Sequence, residues 1–329
     1  MPFKVIKGTF HVRGYSPDGD SIRFRPDDLD LILDLPGPPP DPNPRNHVQL
    51  RLEAIDSLET HFTPRGGSAL NQPLALAHAS TDRLLDFVGI TDVEWNDART
   101  LVTGANDGTR GYILSRSVEK NGRPVAFVYA GDPPEADGDD VMLEEGRLRD
   151  SFNYAALAEG LAYPTYYRGL FSDLRDAMTA AAEEARNGGR GVFAEDRTNE
   201  GFRASNLSSI TRRHVILPKL FRRLSEYMVN FDTAVGFKRK LEQSREPVLD
   251  LRTSNFTHFD TFVEQANNSD EISLTRLPEE LVFDEMPARP SGHFSLLLAV
   301  GEDASFGEGQ PSRRDWPDTQ DAGRRPLAD

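Results

Sequence analysis

Residues 3–13 and 20–25 alternate apolar with polar positions, the period of two that predicts half-buried strands. Between them Ser16-Pro-Asp-Gly-Asp20 is a run of turn residues. A third strand is expected over Val48–Ile55. Before it lies Pro36-Gly-Pro-Pro-Pro-Asp-Pro-Asn-Pro44, too stiff and too poor in backbone donors to join a sheet. It predicts a surface excursion, with a partner-docking polyproline segment as the alternative. From Pro73 to Val88 the period lengthens, and Leu74, Ala77, Thr81, Leu84 or Leu85, and Val88 share one helical face. Strands follow near Thr91–Trp95 and Pro124–Ala130, with Gly111–Ser117 extending or pairing with the latter. A Gly/Asp/Pro-rich loop covers Gly131–Asp140. Two helices come next: Ser151–Leu161, burying Phe152, Ala155 and Leu161, and Gly169–Arg186, burying Leu170, Leu174, Met178, Ala181 and Ala185. Gly188-Gly189 reads as the stop of the second helix, not as a phosphate loop, since no strand precedes it and no GK[ST] follows.

The order strand-strand-strand-helix-strand-strand-helix-helix is not the repeated βαβ of a doubly wound sheet. It predicts an α+β fold, a small Greek-key barrel with helical support. After residue 200 the texture changes. Phe202–Arg245 carries ten basic residues against three acidic ones, interleaved with Phe221, Tyr227, Phe231 and Phe237. Strand-like pieces follow at Asn255–Phe262 and His293–Val300. The chain therefore divides into residues 1–200, a C-terminal α/β extension of unknown fold at 201–300, and a polar, Pro/Gly-rich tail at 301–329 expected to be disordered. No internal repeat is found.

Composition narrows the classes. The 329 residues hold 37% hydrophobic and 28% charged side chains, and no apolar run approaches the roughly 20 residues that cross a bilayer. The N-terminus enters a strand pattern directly, without a signal-peptide profile. Cytoplasmic residence is expected, or export without a cleaved signal. The absence of cysteine excludes disulfides, thiolate zinc sites and cysteine nucleophiles. A net charge of −15 argues against holding nucleic acid by bulk electrostatics, though not against a locally positive cleft. The seven histidines show no i, i+4 zinc spacing, and no G-x-S-x-G elbow supports a serine triad.

The polar groups at the strand ends carry the chemistry. Asp18 and Asp20 sit at the first turn; Arg51, Asp56, Ser57 and Glu59 come from the third strand; Arg123 begins another. Hydrolysis of a phosphodiester needs a cation on the phosphate, a base to aim water and positive charge for the equatorial oxygens. Oxygen-only ligands favour Ca²⁺ or Mg²⁺, and guanidinium forks suit phosphate oxygens.

Four quoted elements occur in one order: Asp18-Gly-Asp-Ser21, Arg51-Leu-Glu-Ala-Ile-Asp-Ser-Leu-Glu59, Gly122-Arg-Pro-Val-Ala-Phe-Val-Tyr129, and Leu157-Ala-Glu-Gly-Leu-Ala162 followed by Tyr166 and Tyr167. In this the chain resembles the staphylococcal-nuclease-like (thermonuclease) family over residues 5–198. The resemblance implies a five-stranded OB-fold barrel with three helices and a Ca²⁺-dependent endonuclease acting on DNA and RNA with little sequence specificity, with Mg²⁺ or Mn²⁺ as substitutes. It assigns Asp20, Asp56 and the Ser57 carbonyl to the metal, with Asp18 behind them. Glu59 orients or deprotonates the water, Arg51 and Arg123 bind the phosphate, and Tyr166, Tyr167 and Lys120 contact the substrate. The chain departs from the family at Ser57-Leu58, where threonine and proline are usual, and at Asn121, where tyrosine is common. The proline-rich hairpin is longer than usual and Asp97–Arg110 looks inserted. The alternatives are an OB domain that binds nucleic acid or protein without cutting, or a nuclease effector or toxin whose C-terminal part serves oligomerisation or delivery. Phe202–Arg245 is read as a helical linker packing its aromatics on the barrel or on a second copy, or as a further nucleic-acid surface. No membrane partner is expected.

Overall fold

The predicted first strand forms as β1 (Phe3–His11), which buries Phe3, Val5, Ile6 and Phe10. The protein is described here by a computed structural model that covers residues 2–284; the expected strand at His293–Val300 and the tail at 301–329 lie outside the described residues. After β1 come β2 (Arg23–Pro26), the short α1 (Asp30–Leu33), β3 (Val48–Gln49), β4 (Arg51–Leu52) and β5 (Ile55–Ser57). Then follow α2 (Leu74–Phe87), β6 (Thr91–Trp95), β7 (Val102–Asn106), β8 (Thr109–Val118), β9 (Pro124–Ala130) and β10 (Asp140–Val141). The helices α3 (Glu145–Arg149), α4 (Phe152–Ala158) and α5 (Ser172–Asn187) enclose β11 (Ala162–Pro164) and β12 (Tyr166–Tyr167).

The main sheet runs β3-β2-β1-β8-β9-β4, with β10 added to β1. Its two ends are the two halves of one strand, and that closes it almost to a barrel. Val48–Gln49 pairs antiparallel with β2, then Arg51–Leu52 pairs parallel with β9. The expected single strand Val48–Ile55 is thus three pieces. The last break falls at Ala54, whose φ of 68° lies in the left-handed region that side chains avoid. The gap beside it is filled from α4. Asn153 accepts from the Val128 N–H at 3.0 Å and donates to the carbonyls of Glu53 at 2.8 Å and Ala126 at 3.0 Å. A fully buried amide stays cheap only when bonded this completely.

Several expectations shift by a residue or a partner. The face of α2 buries Ala77, Thr81, Leu84 and Leu85, but Leu74 at its first turn is exposed. In α4 the buried set is Phe152, Asn153, Ala156 and Leu157, and Ala155 and Leu161 are half-buried. Ser151 caps α4 by accepting from the Tyr154 N–H. The five apolar residues expected to face inward at α5 are all buried. Gly111–Ser117 forms β8 and pairs with β9, whereas Thr91–Trp95 leaves the barrel and makes a separate ribbon with β7.

All described residues belong to one compact unit. Beyond residue 200 lie β13 (Phe202–Arg203), α6 (Pro218–Phe231), α7 (Phe237–Ser244), β14 (Pro247–Asp250), β15 (Asn255–His258), β16 (Val263–Glu264), β17 (Glu271–Leu274) and β18 (Leu281–Phe283). β18 pairs in parallel with β12, joining Tyr166 to Val282 and Tyr167 to Phe283. The inward face of α6 carries Leu220, Phe221, Leu224 and Met228, and Phe221 meets Phe62 edge-on at 6.3 Å. Phe221 and Phe237 are buried, while Phe231 is exposed. No helix among the described residues is long and apolar enough to cross a membrane.

Candidate active site

A cavity of about 800 Å³ opens where the barrel meets α6. The first turn supplies Asp18 and Asp20, strand β4 supplies Arg51, and β5 with the loop after it supplies Asp56 and Glu59. The hairpin from β8 to β9 adds Lys120 and Arg123, and β12 adds Tyr167. Eight of the ten residues singled out in the sequence therefore line one cavity. Ser57 is buried in β5, paired opposite Ala162. Tyr166 points the other way. Adjacent residues of a strand face opposite sides, and the Tyr166 hydroxyl lies 2.8 Å from Thr179 Oγ1 in the core against α5.

Local structure fixes these side chains. The turn Asp18-Gly-Asp20 fits only glycine at its centre, because a Cβ at Gly19 would collide with Ser80 of α2. Asp20 accepts from the Ser57 N–H at 3.3 Å, and its own carbonyl accepts from the Leu52 N–H at 2.9 Å. The buried Glu119 accepts from the Asn121 N–H at 3.0 Å and from Arg123 Nε at 3.0 Å, so it shapes the hairpin and aims Arg123. Gln72 ties the Glu59 loop to the start of α6. It accepts from the Glu59 N–H at 3.2 Å and donates to the Ile216 carbonyl at 2.8 Å.

The cavity also contains charges that the sequence reading did not place there. Helix α6 contributes Lys219, Arg222 and Arg223, and Glu246 lies just before β14. Arg222 donates to Asp56 Oδ1 at 2.9 Å and Oδ2 at 2.7 Å, and also to Glu59. Lys219 bonds the Glu246 carboxylate at 2.8 Å and the Tyr167 hydroxyl at 3.2 Å. Arg223 reaches Glu246 at 3.1 Å. The signal for these residues was the basic run of Phe202–Arg245. Its polar positions 219, 222, 223 and 226 follow helical spacing, but a single sequence does not say what such a face meets.

Electrostatics divides the carboxylates. Burial and the charges of Asp20 and Glu59 hold Asp18 well above the ordinary range. Burial, with Asp56 and Glu59 adding to it, pushes Asp20 up to about 7. Burial also raises Glu59, against the pull of Arg222. Asp56 goes the other way: burial would raise it, but the Arg222 guanidinium and its hydrogen bonds bring it below the usual range. Tyr167 lies under Arg51, whose Cζ is 4.3 Å from the ring centroid. Burial works against its ionisation, yet Lys219 and Arg51 together bring the phenol down to about 7.

The donor set suits a hard cation by its chemistry. It is all oxygen, and the repulsion among Asp18, Asp20, Asp56 and Glu59, which adds to burial in raising three of these carboxyls, is what a divalent cation would relieve. Two features stand against ready binding. Both oxygens of Asp56 are committed to Arg222. Among the described residues no group of three or more histidine, aspartate or glutamate side chains is gathered as a metal site. Asp20 and Asp56 could hold Ca²⁺ only after Arg222 releases Asp56, with backbone or water oxygens completing the shell.

No family model matches the chain, and no curated protein matches it.

Proposed function

We propose that the protein is a metal-dependent phosphodiesterase acting on DNA and RNA, an OB-barrel nuclease whose active site is the cavity between the barrel and α6. One observation carries the reading: Arg51 and Arg123 line the same cavity as Asp20, Asp56 and Glu59. That combination of guanidiniums and carboxylates is what hydrolysis of a phosphodiester requires. Arg51 is held over the Tyr167 ring and is fully charged, so it serves as a fixed donor to a phosphate oxygen. Arg123, aimed by Glu119, serves as the second. Glu59, raised by burial, accepts the proton of the attacking water. A Ca²⁺ ion held by Asp20 and Asp56 would neutralise charge on the phosphate. Tyr167 and Lys120 lie where a nucleotide would be held. Tyr166, bonded in the core, has no part in binding.

The Arg222 clamp favours a second reading, a module that binds nucleic acid without cutting it. With Asp56 and Glu59 neutralised from within, the cavity accepts an anion and lacks a free base.

Digestion of plasmid DNA and of RNA by the purified protein separates the two. Ca²⁺-dependent cutting that EDTA stops and Glu59→Gln abolishes is the expected result. Tight binding of nucleic acid with no cutting under Ca²⁺, Mg²⁺ or Mn²⁺ establishes the second reading instead.

A further inference from the structure

A second cavity, of about 390 Å³, adjoins the first at Gly14. It lies where β1 ends and the proline-rich excursion returns to the barrel. His11, Arg13, Arg45, His47, Thr103 and Asp107 line it. The rings of His11 and His47 stack, with centroids 4.2 Å apart and planes 24° from parallel. Asn43 donates to the Tyr15 hydroxyl at 2.7 Å, and that hydroxyl lies 3.0 Å from His47 Nδ1.

Four arginines surround this pair. Arg13, Arg23, Arg25 and Arg45 form no ion pair among the described residues, and Arg13, Arg25 and Arg45 are exposed. Arg23 lies 5.2 Å over the Tyr15 ring, and its buried Nε has no hydrogen-bond partner. One carboxylate faces the cavity, that of Asp107. Its Oδ2 accepts from the Val12 and Arg13 N–H groups, at 2.9 and 3.0 Å, and lies 3.9 Å from His11 Nδ1. One acid so engaged does not offset four guanidiniums. Burial, with His11, Arg45, Arg25 and Arg23 adding to it, holds His47 down to about 4, and burial with Arg25 and Arg45 lowers His11 against the pull of Asp107, so both imidazoles are neutral at neutral pH and the positive charge belongs to the arginines. In a chain of net charge −15 this is a concentrated positive patch with an aromatic floor.

We infer that this patch is a phosphate subsite for a single-stranded nucleic acid, taking a backbone phosphate that flanks the one in the main cavity. Arg13 and Arg45 hold the phosphate, and Arg23 bridges to the active site. Tyr15 and His11, both partly exposed, offer a face to a base, with His47 stacked behind His11. Such sites combine a cationic track with aromatic platforms, and each phosphate contact adds to the salt dependence of binding. The inference rests on the nuclease reading and adds the direction in which the strand leaves the cavity.

The test is fluorescence anisotropy of a labelled twelve-residue oligothymidylate in EDTA at several salt concentrations. It compares the parent with Arg13→Gln/Arg45→Gln and with Arg13→Lys/Arg45→Lys, and cleavage of the dinucleotide dTdT in Ca²⁺ is read alongside. Both positions are exposed, so equal melting temperatures are expected. The glutamine pair should bind the oligomer about tenfold more weakly, with a salt slope reduced by roughly 1. The lysine pair should keep most of the slope, and dTdT cleavage should be unchanged in all three. Equal affinity and slope in the parent and the glutamine pair overturn the subsite while leaving the nuclease reading in place. A parent that neither binds the oligomer nor cuts dTdT overturns both.

Discussion

Arg222 sets one nitrogen on each oxygen of Asp56, at 2.9 and 2.7 Å, and reaches Glu59 with the first of them. The helix that carries it begins at Pro218, far along the chain from the barrel turn that supplies Asp20. A guanidinium thus stands among the carboxylates expected to hold a divalent ion. Any cation that takes Asp56 has to break two charged hydrogen bonds first.

Removing that competitor should favour the metal. Arg222→Gln is expected to tighten Ca²⁺ binding about tenfold in a calorimetric titration. Without Ca²⁺ the same variant should lose roughly 3–5 kcal/mol of stability, since Asp56 and Glu59 are left buried without their partner. Saturating Ca²⁺ should restore part of that loss. Equal Ca²⁺ affinity in parent and variant would show that Arg222 and the metal do not share Asp56.

The two arginines proposed to bind phosphate, Arg51 and Arg123, should matter to rate more than to folding. Arg123→Gln is expected to lower kcat by about 10²–10³, the usual cost of one lost electrostatic donor. Its melting temperature should hold, because Arg123 is partly exposed and Glu119 keeps its bonds to Asn121. A kcat within a factor of three of the parent would take Arg123 out of the mechanism.

The neighbouring tyrosines should separate cleanly. Tyr166→Phe loses the bond to Thr179, worth about 1 kcal/mol, and should leave cleavage unchanged. Tyr167→Phe removes one of the two partners of Lys219 in the cavity, leaving Glu246, and should raise KM for nucleic acid several-fold. Reversal of that pattern in steady-state kinetics would place the nucleotide on the other side of the strand.

Glu246 makes stability depend on acid pH. Burial would raise its carboxyl, but Lys219 and Arg223 depress it from 4.5 to about 2. A depressed acid stabilises the fold fully above the unfolded value near 4.5, and the contribution disappears as the pH falls to about 2. Glu246→Gln should therefore cost roughly 3 kcal/mol at pH 7 and almost nothing at pH 2. Chemical denaturation at both pH values measures it; an equal cost at both would mean the loss is packing, not charge.

Asn153 offers a test of the barrel itself. Asn153→Leu fills a similar volume but removes the bonds that the Val128 N–H and the Glu53 and Ala126 carbonyls make to Asn153, while the Ala126 carbonyl still accepts from the Glu53 N–H. A loss of about 3 kcal/mol or more is expected from urea unfolding. A variant as stable as the parent would mean these groups find other partners.

Much of the barrel side of the cavity was legible in the sequence. Alternation located β1, β8 and β9, and helical spacing picked out the buried face of α5, because both signals are local. Asp18, Asp20, Arg51, Asp56, Glu59 and Arg123 were found because their chemistry is bound to short motifs. The break at Ala54 was missed, since nothing in Glu53-Ala-Ile55 announces a left-handed alanine; the constraint comes from β4 and β5 pairing with different strands. Arg222 and Glu246 were missed because no spacing rule connects a residue at 222 to one at 56. Tyr166 was grouped with Tyr167 as a substrate contact because a tyrosine pair does not declare which member faces in.

The parallel pairing of β12 with β18 joins residues more than a hundred positions apart, Tyr166 with Val282. Contacts so distant in sequence form late, after the loop between them has closed. The cavity draws its lining from Gly14 at one extreme and Asp284 at the other. A nascent chain that has reached residue 200 holds the barrel carboxylates, Arg51 and Arg123, but neither α6 nor the strand beside Tyr167. The finished pocket requires a chain that extends through Asp284, so the order of synthesis sets the earliest moment at which it can exist.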